Sequence, residues 1–113
     1  MSIYRKPVYT TLTIANGAQK TEAFNLRDYV LAGIIFTGAF TGTLMTLEVS
    51  DAIGGTYLPL YDSDGNQITL QIAPSRGVGI TAAEADALAP FEFVKLYASS
   101  VQAAERTLIL VKK

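Results

Sequence analysis

The sequence predicts an all-β chain: an eight-stranded antiparallel β-sandwich, jelly-roll-like, with one short helical turn near residues 82–88. Three observations predict it. Thr, Val, Ile, Tyr and Phe are abundant, the β-branched and aromatic types that suit a pleated, half-buried surface. Gly, Asn, Asp and Pro punctuate the chain at intervals of roughly ten residues, the rhythm of sandwiches and barrels. Several runs alternate apolar and polar residues with the period of two that gives a strand one inward face. Strand order does not follow from such a pattern. A seven-stranded immunoglobulin-like sandwich satisfies it as well, with or without a disulfide.

The runs follow in order. Val8 to Ile14 is the first, ended by Asn16-Gly17, a dipeptide suited to positive φ. Thr21 to Leu26 is the second. Tyr29 to Phe36 is almost continuously apolar, as a central strand covered on both faces would be; Gly38, Ala39 and Gly42 then break the chain. In Thr43 to Ser50, Met45, Leu47 and Val49 form one face. Thr56 to Tyr61 follows a loop, and Asp62-Ser63-Asp64-Gly65-Asn66 reads as a hairpin turn with Gly65 at the positive-φ position. Gln67 to Ile72 alternates again, with Ile68, Leu70 and Ile72 on one side. Pro74 to Gly79 reads as irregular. Thr81-Ala82-Ala83-Glu84 is a capping box, Thr81 the N-cap and Glu84 the third helical residue. The helix it opens is expected to run to about Leu88 and to end at Pro90. Phe91 to Ala98 places Phe91, Phe93 and Tyr97 opposite Val94 and Leu96, and Arg106 to Val111 is the last run.

A chain of 113 residues reads as one domain, 1–113, able to bury roughly 65% of its unfolded surface. Residues 1–7 read as a flexible N-terminal arm. Half of the residues are hydrophobic and 17% are charged, below the ordinary ~25%; a poorly charged surface points to coverage by other subunits. The nine Lys and Arg are scattered and the formal net charge is −1, so the concentrated positive footprint that nucleic acid requires is missing. No apolar segment follows Arg5 and Lys6 as in a secretory signal, and Tyr29 to Phe36 is too short to span a bilayer. Synthesis in the cytoplasm, with no membrane partner, is the expectation.

The chemistry of catalysis is thin. There is no histidine and no cysteine, which removes the commonest general base, thiol nucleophiles and thiolate metal sites. The carboxylates fall mainly at turns or on the polar face of alternating strands, where solvated carboxylates belong. No catalytic residue, cofactor or metal site is expected. The Asp62–Asn66 segment resembles a calcium loop only faintly, because Gly65 is fourth rather than sixth and the twelfth position is Ala73. The aromatics fall at strand positions and read as core or subunit interface rather than sugar platforms. Gln102 and Arg106, four residues apart, read as a structural anchor whose long polar side chains satisfy loop backbone.

Two segments carry a family resemblance. One is Leu31-Ala32-Gly33-Ile34-Ile35-Phe36, then Phe40-Thr41-Gly42-Thr43-Leu44-Met45-Thr46-Leu47-Glu48-Val49-Ser50, Gly55-Thr56-Tyr57-Leu58-Pro59-Leu60-Tyr61-Asp62 and Asp64-Gly65. The other is Phe93-Val94-Lys95-Leu96-Tyr97 followed by Val101-Gln102-Ala103-Ala104-Glu105-Arg106-Thr107-Leu108-Ile109-Leu110-Val111. Together they resemble small β-sandwich virion structural proteins encoded among the head genes of tailed phages, over roughly residues 22 to 112. Phe40 stands where such proteins often carry Trp, and Tyr97-Ala98-Ser99 where an Arg-Ser-Gly turn is expected.

The resemblance implies a structural virion protein of a tailed bacteriophage. Capsid decoration or cementing is the leading expectation, on the capsid exterior, with the major capsid protein and self (a homotrimer or homodimer) as partners. The alternative is a tail, neck or fibre module with a carbohydrate-binding, adsorption role. Tyr4, Arg5, Lys6 and Tyr9 are the expected capsid or subunit contacts.

Overall fold

The computed structural model describes residues 7–27 and 29–113. The expected arm contacts Tyr4, Arg5 and Lys6 lie outside the described residues. The described residues are mostly β, with strands β1 (Val8–Ile14), β2 (Phe24–Asn25), β3 (Leu31–Phe36), β4 (Leu44–Ser50), β5 (Leu58–Pro59), β6 (Thr69–Gln71), β7 (Arg76–Gly79), β8 (Phe93–Ala98) and β9 (Arg106–Lys112), and one helix among them, α1 (Ala82–Leu88).

The strands form two antiparallel sheets. The first has the order β1-β9-β3-β7; the second has the order β2-β8-β4-β5, with β6 also paired to β4. Both β5 and β6 run antiparallel to β4, β5 opposite Glu48 and Val49 and β6 opposite Leu44 to Thr46. They are two pieces of one line along the same edge, separated by the Asp62–Asn66 hairpin, whose stem is the bridge between Tyr61 and Gln67.

One apolar cluster draws on both sheets. Leu12, Ile14, Ile34, Phe36, Leu108 and Leu110 enter it from the first, and Met45, Leu47, Leu70, Val94, Leu96 and Ala98 from the second. These are the alternate positions of their strands, as the period-two pattern requires. Burying one such Leu or Phe stabilises the fold by about 1.5–3 kcal/mol before the entropy of ordering is subtracted. β3 breaks the alternation. Its pairing with β9 shifts between Leu31 and Gly33, a one-residue bulge that lets Leu31 as well as Ile34 and Phe36 be buried. Helix α1 contacts β3, and its Leu88 is fully buried.

Among the described residues, nine strands form where eight runs were expected. The additional one is β7, in the segment read as irregular. Arg76-Gly77-Val78-Gly79 offers one apolar side chain and no alternation, so its extended state comes from the neighbour: Gly33 lies opposite Gly79 and Ile34 opposite Val78. Gly33 permits that approach, since a Cβ there would sit 3.0 Å from the Val78 carbonyl oxygen. The second run also contracts, from Thr21–Leu26 to the two residues of β2. Thr21 still meets β8, but by a substitution of groups: its amide donates to the Leu96 carbonyl and its Oγ1 accepts from the Leu96 amide.

The helix starts where its capping box requires. The Thr81 hydroxyl accepts from the Glu84 amide at 3.2 Å while the Glu84 carboxylate accepts from the Thr81 amide at 2.9 Å. Glu84 also places negative charge in the first turn, where the helix dipole favours it.

Candidate functional site

Four features bear on function, and each follows from how the strands present their side chains. The first is a polar clasp at one end of the fold. Gln102 is almost fully buried. Its Oε1 accepts from the Thr41 amide at 3.0 Å and from Arg106 Nε at 3.3 Å; its Nε2 donates to the carbonyls of Thr41 at 2.8 Å and Ser100 at 3.0 Å. Arg106 adds a bond from its guanidinium to Thr41 Oγ1 at 3.2 Å. The Gln102 backbone meanwhile exchanges bonds with Ala18 and Gly17. A side-chain amide has two donors and an acceptor oxygen with two lone pairs, and here it closes three loops against one another. Gln102 and Arg106 are thus brought together, and Thr41, which sequence reasoning passed over, is their common partner. No sequence pattern points to it, because it lies 61 residues before Gln102.

The second feature is the Asp62–Asn66 turn. Asp62 Oδ1 accepts from the amides of Asp64 and Asn66, both at 2.9 Å, and Gly65 takes φ +86°. One carboxylate oxygen of Asp62 is thus committed to the turn's own backbone. Among the described residues no three His, Cys, Asp or Glu side chains gather closely enough to hold a metal, and no helix is long and apolar enough to cross a membrane.

The third feature is the outward face of the second sheet. Lys95 Nζ lies 4.5 Å from the Tyr57 ring centroid, and Lys20 Nζ lies 5.2 Å from that of Tyr97. Lys20 also forms an ion pair with Glu48 at 3.2 Å, without the alignment of a hydrogen bond. Desolvation pushes the Tyr57 phenol above its ordinary pKa, and its hydroxyl donates to the Ile53 carbonyl. On β9, Lys112 keeps a buried stem; its ammonium lies 5.4 Å from the Tyr29 ring and donates to the Asn25 carbonyl of β2 at 3.5 Å. In each of the two pairs on the second sheet the ammonium thus lies over one face of a tyrosine ring.

The fourth is an open cleft of about 740 Å³ at the end of β4 and β8, lined by Leu58, Phe91 and Phe93 together with Asp51 and Glu92. Of the expected contact residues, only Tyr9 is described. It stands 61% exposed on β1, remote in sequence and in sheet from the cleft's strands. Exposed Ile53 and Leu58 lie in or beside the loop that borders the cleft.

No protein-family model and no curated protein sequence matches the chain significantly. Solved structures do. The chain is similar to the SPBc2 prophage-derived protein YomS, with a TM-score of 0.53 at 14% identity over 98% of this chain and 99% of that one. It also aligns to the Drosophila NLP core, a structure described in terms of pentamer formation and histone binding, with a TM-score of 0.40 at 10% identity over 96% of both chains; a likeness that loose carries no argument. From end to end, this chain shares its fold with a prophage-derived protein.

Proposed function

We propose that this chain is a non-enzymatic structural virion protein of a tailed bacteriophage, acting as a capsid decoration or cement protein on the outer shell. The observation that carries the reading is the fold likeness to a prophage-derived protein across the whole length of both chains. The sequence resemblance to phage head-gene products and the poor surface charge support it. A jelly-roll-like sandwich fits the same picture. With β5 and β6 counted as one interrupted strand, eight strands divide four and four between the sheets, as in the double-sheet jelly rolls common among capsid domains. On this reading the partners are the major capsid protein and further copies of the chain.

A second reading, a tail, neck or fibre module with a carbohydrate-binding role, draws on the cleft. Two phenylalanines beside two carboxylates offer the apolar face and hydrogen-bond acceptors that a sugar ring uses. Copy number separates the two. Quantitative mass spectrometry of purified virions is expected to find hundreds of copies in a simple ratio to the major capsid protein. A few dozen or fewer would move the protein to the neck, tail or fibre, and none at all would remove it from the virion.

A further inference from the structure

A sheet edge exposes unpaired amides and carbonyls that template pairing with another chain, and natural proteins blunt such edges. Among the described residues two sheets present four edges, and three are blunted. β2 is two residues long. The β5/β6 edge is interrupted by a hairpin and carries Pro59. β7 is four residues long, holds two glycines and begins with Arg76. The fourth edge, β1, is different. Val8-Tyr9-Thr10-Thr11-Leu12-Thr13-Ile14 is seven residues without charge, Pro or Gly. It pairs with β9 along its full length on one side, and among the described residues nothing pairs with its other side.

We propose that β1 is the self-association edge of this protein: a second copy pairs antiparallel along it about a two-fold axis at Thr11, joining two four-stranded sheets into one of eight strands. Thr11 is the middle residue of β1, so this register alone opposes all seven residues of one copy to all seven of the other. Opposed residues then share a face, as antiparallel pairing demands. On the outer face Thr11 meets Thr11 of the partner copy and the exposed Tyr9 meets the partner copy's Thr13, pairs of the threonine–threonine and aromatic–β-branched kinds that stabilise ladders. On the inner face the half-buried Val8 and Thr10 lie beside Ile14 and Leu12 of the partner copy, which are buried in their own core. With no charged residue in β1, the two-fold brings no like charges together. The inference concerns the purified chain and stands apart from the virion reading.

The test uses the full chain. Light scattering or sedimentation over a concentration series is expected to show the mass doubling to that of a dimer and stopping there. Because the protein has no cysteine, Thr11→Cys introduces a single thiol that meets its own copy only in this register. Oxidation or a short bis-thiol cross-linker should convert it to covalent dimer, while Ser63→Cys in the hairpin turn remains monomeric. Thr11→Lys, at an exposed position, should keep the circular dichroism of the wild type and weaken dimerisation at least tenfold. A wild type that stays monomeric to millimolar concentration, cross-linking at residue 11 no better than at residue 63, or open-ended aggregation in place of a dimer would each overturn the proposal.

Discussion

Two loops of this protein solve the same problem by opposite means. The Asp62–Asn66 turn and the Thr41–Gln102 clasp both satisfy backbone groups that the ladders leave unpaired, and both contain a glycine with positive φ, Gly65 at +86° and Gly42 at +100°. In the turn, every bond is made within five residues and the site is exposed. In the clasp, the bonds to Thr41 join residues 61 and 65 apart and the central side chain is buried. The difference matters because an exposed group that loses its partner turns to water, whereas a buried one is left unsatisfied at about 1–3 kcal/mol each.

Substitutions can break this contrast or sharpen it. The largest effect is expected for Gln102→Ala, which strands the Thr41 amide and carbonyl and the Ser100 carbonyl together. We expect a loss of about 3 kcal/mol, read as a lower denaturant midpoint at unchanged slope. Next comes the pair of glycines. A Cβ on Gly42 would lie 2.8 Å from Ser99 Oγ, the group that accepts from the Leu44 amide, whereas a Cβ on Gly65 meets nothing within 4 Å. Gly65→Ala should therefore cost about 1–2 kcal/mol for the left-handed backbone alone, and Gly42→Ala about 1 kcal/mol more. Equal costs would mean that Ser99 moves aside freely. The smallest effect is expected for Asp62→Ala, about 0.5–1 kcal/mol by the same denaturation measurement, because water replaces the carboxylate. A loss as great as that of Gln102→Ala would show that the turn is as demanding as the clasp.

The same division explains what could be read in the sequence. The boundaries of β1, the capping box at Thr81 and Glu84, the hairpin at Gly65 and the inward faces of β4 and β6 are all written locally, in alternation or in turn chemistry, and the structure has them; in β8 the alternation divided Val94 and Leu96 from Phe93 and Tyr97 without saying which face is buried, and it is the aliphatic one. β7 was not legible, because Gly77 and Gly79 carry no side chain with which to declare a strand; its conformation is imposed by β3. The bulge between Leu31 and Gly33 was hidden for a related reason, since an apolar run looks alike in either register. In the clasp, the pairing of Gln102 with Arg106 was open to local reasoning at a spacing of four residues, but Thr41 was not. The cleft by Phe91 and Phe93 likewise depends on bringing together β4, β8 and two loops, which no single segment encodes.

The outermost ladder of the first sheet has a mechanical meaning. Val8 lies opposite Lys112, and the pairing runs from there to Ile14 opposite Arg106. A pull applied between Val8 and Lys112 therefore acts across the strands, and the rungs between β1 and β9 would open in succession at low force. A pull between Val8 and Arg106, at opposite ends of the same ladder, must instead slide β1 past β9 and load all of its rungs at once. The same ladder would therefore be weak or stiff according to the two points at which it is held.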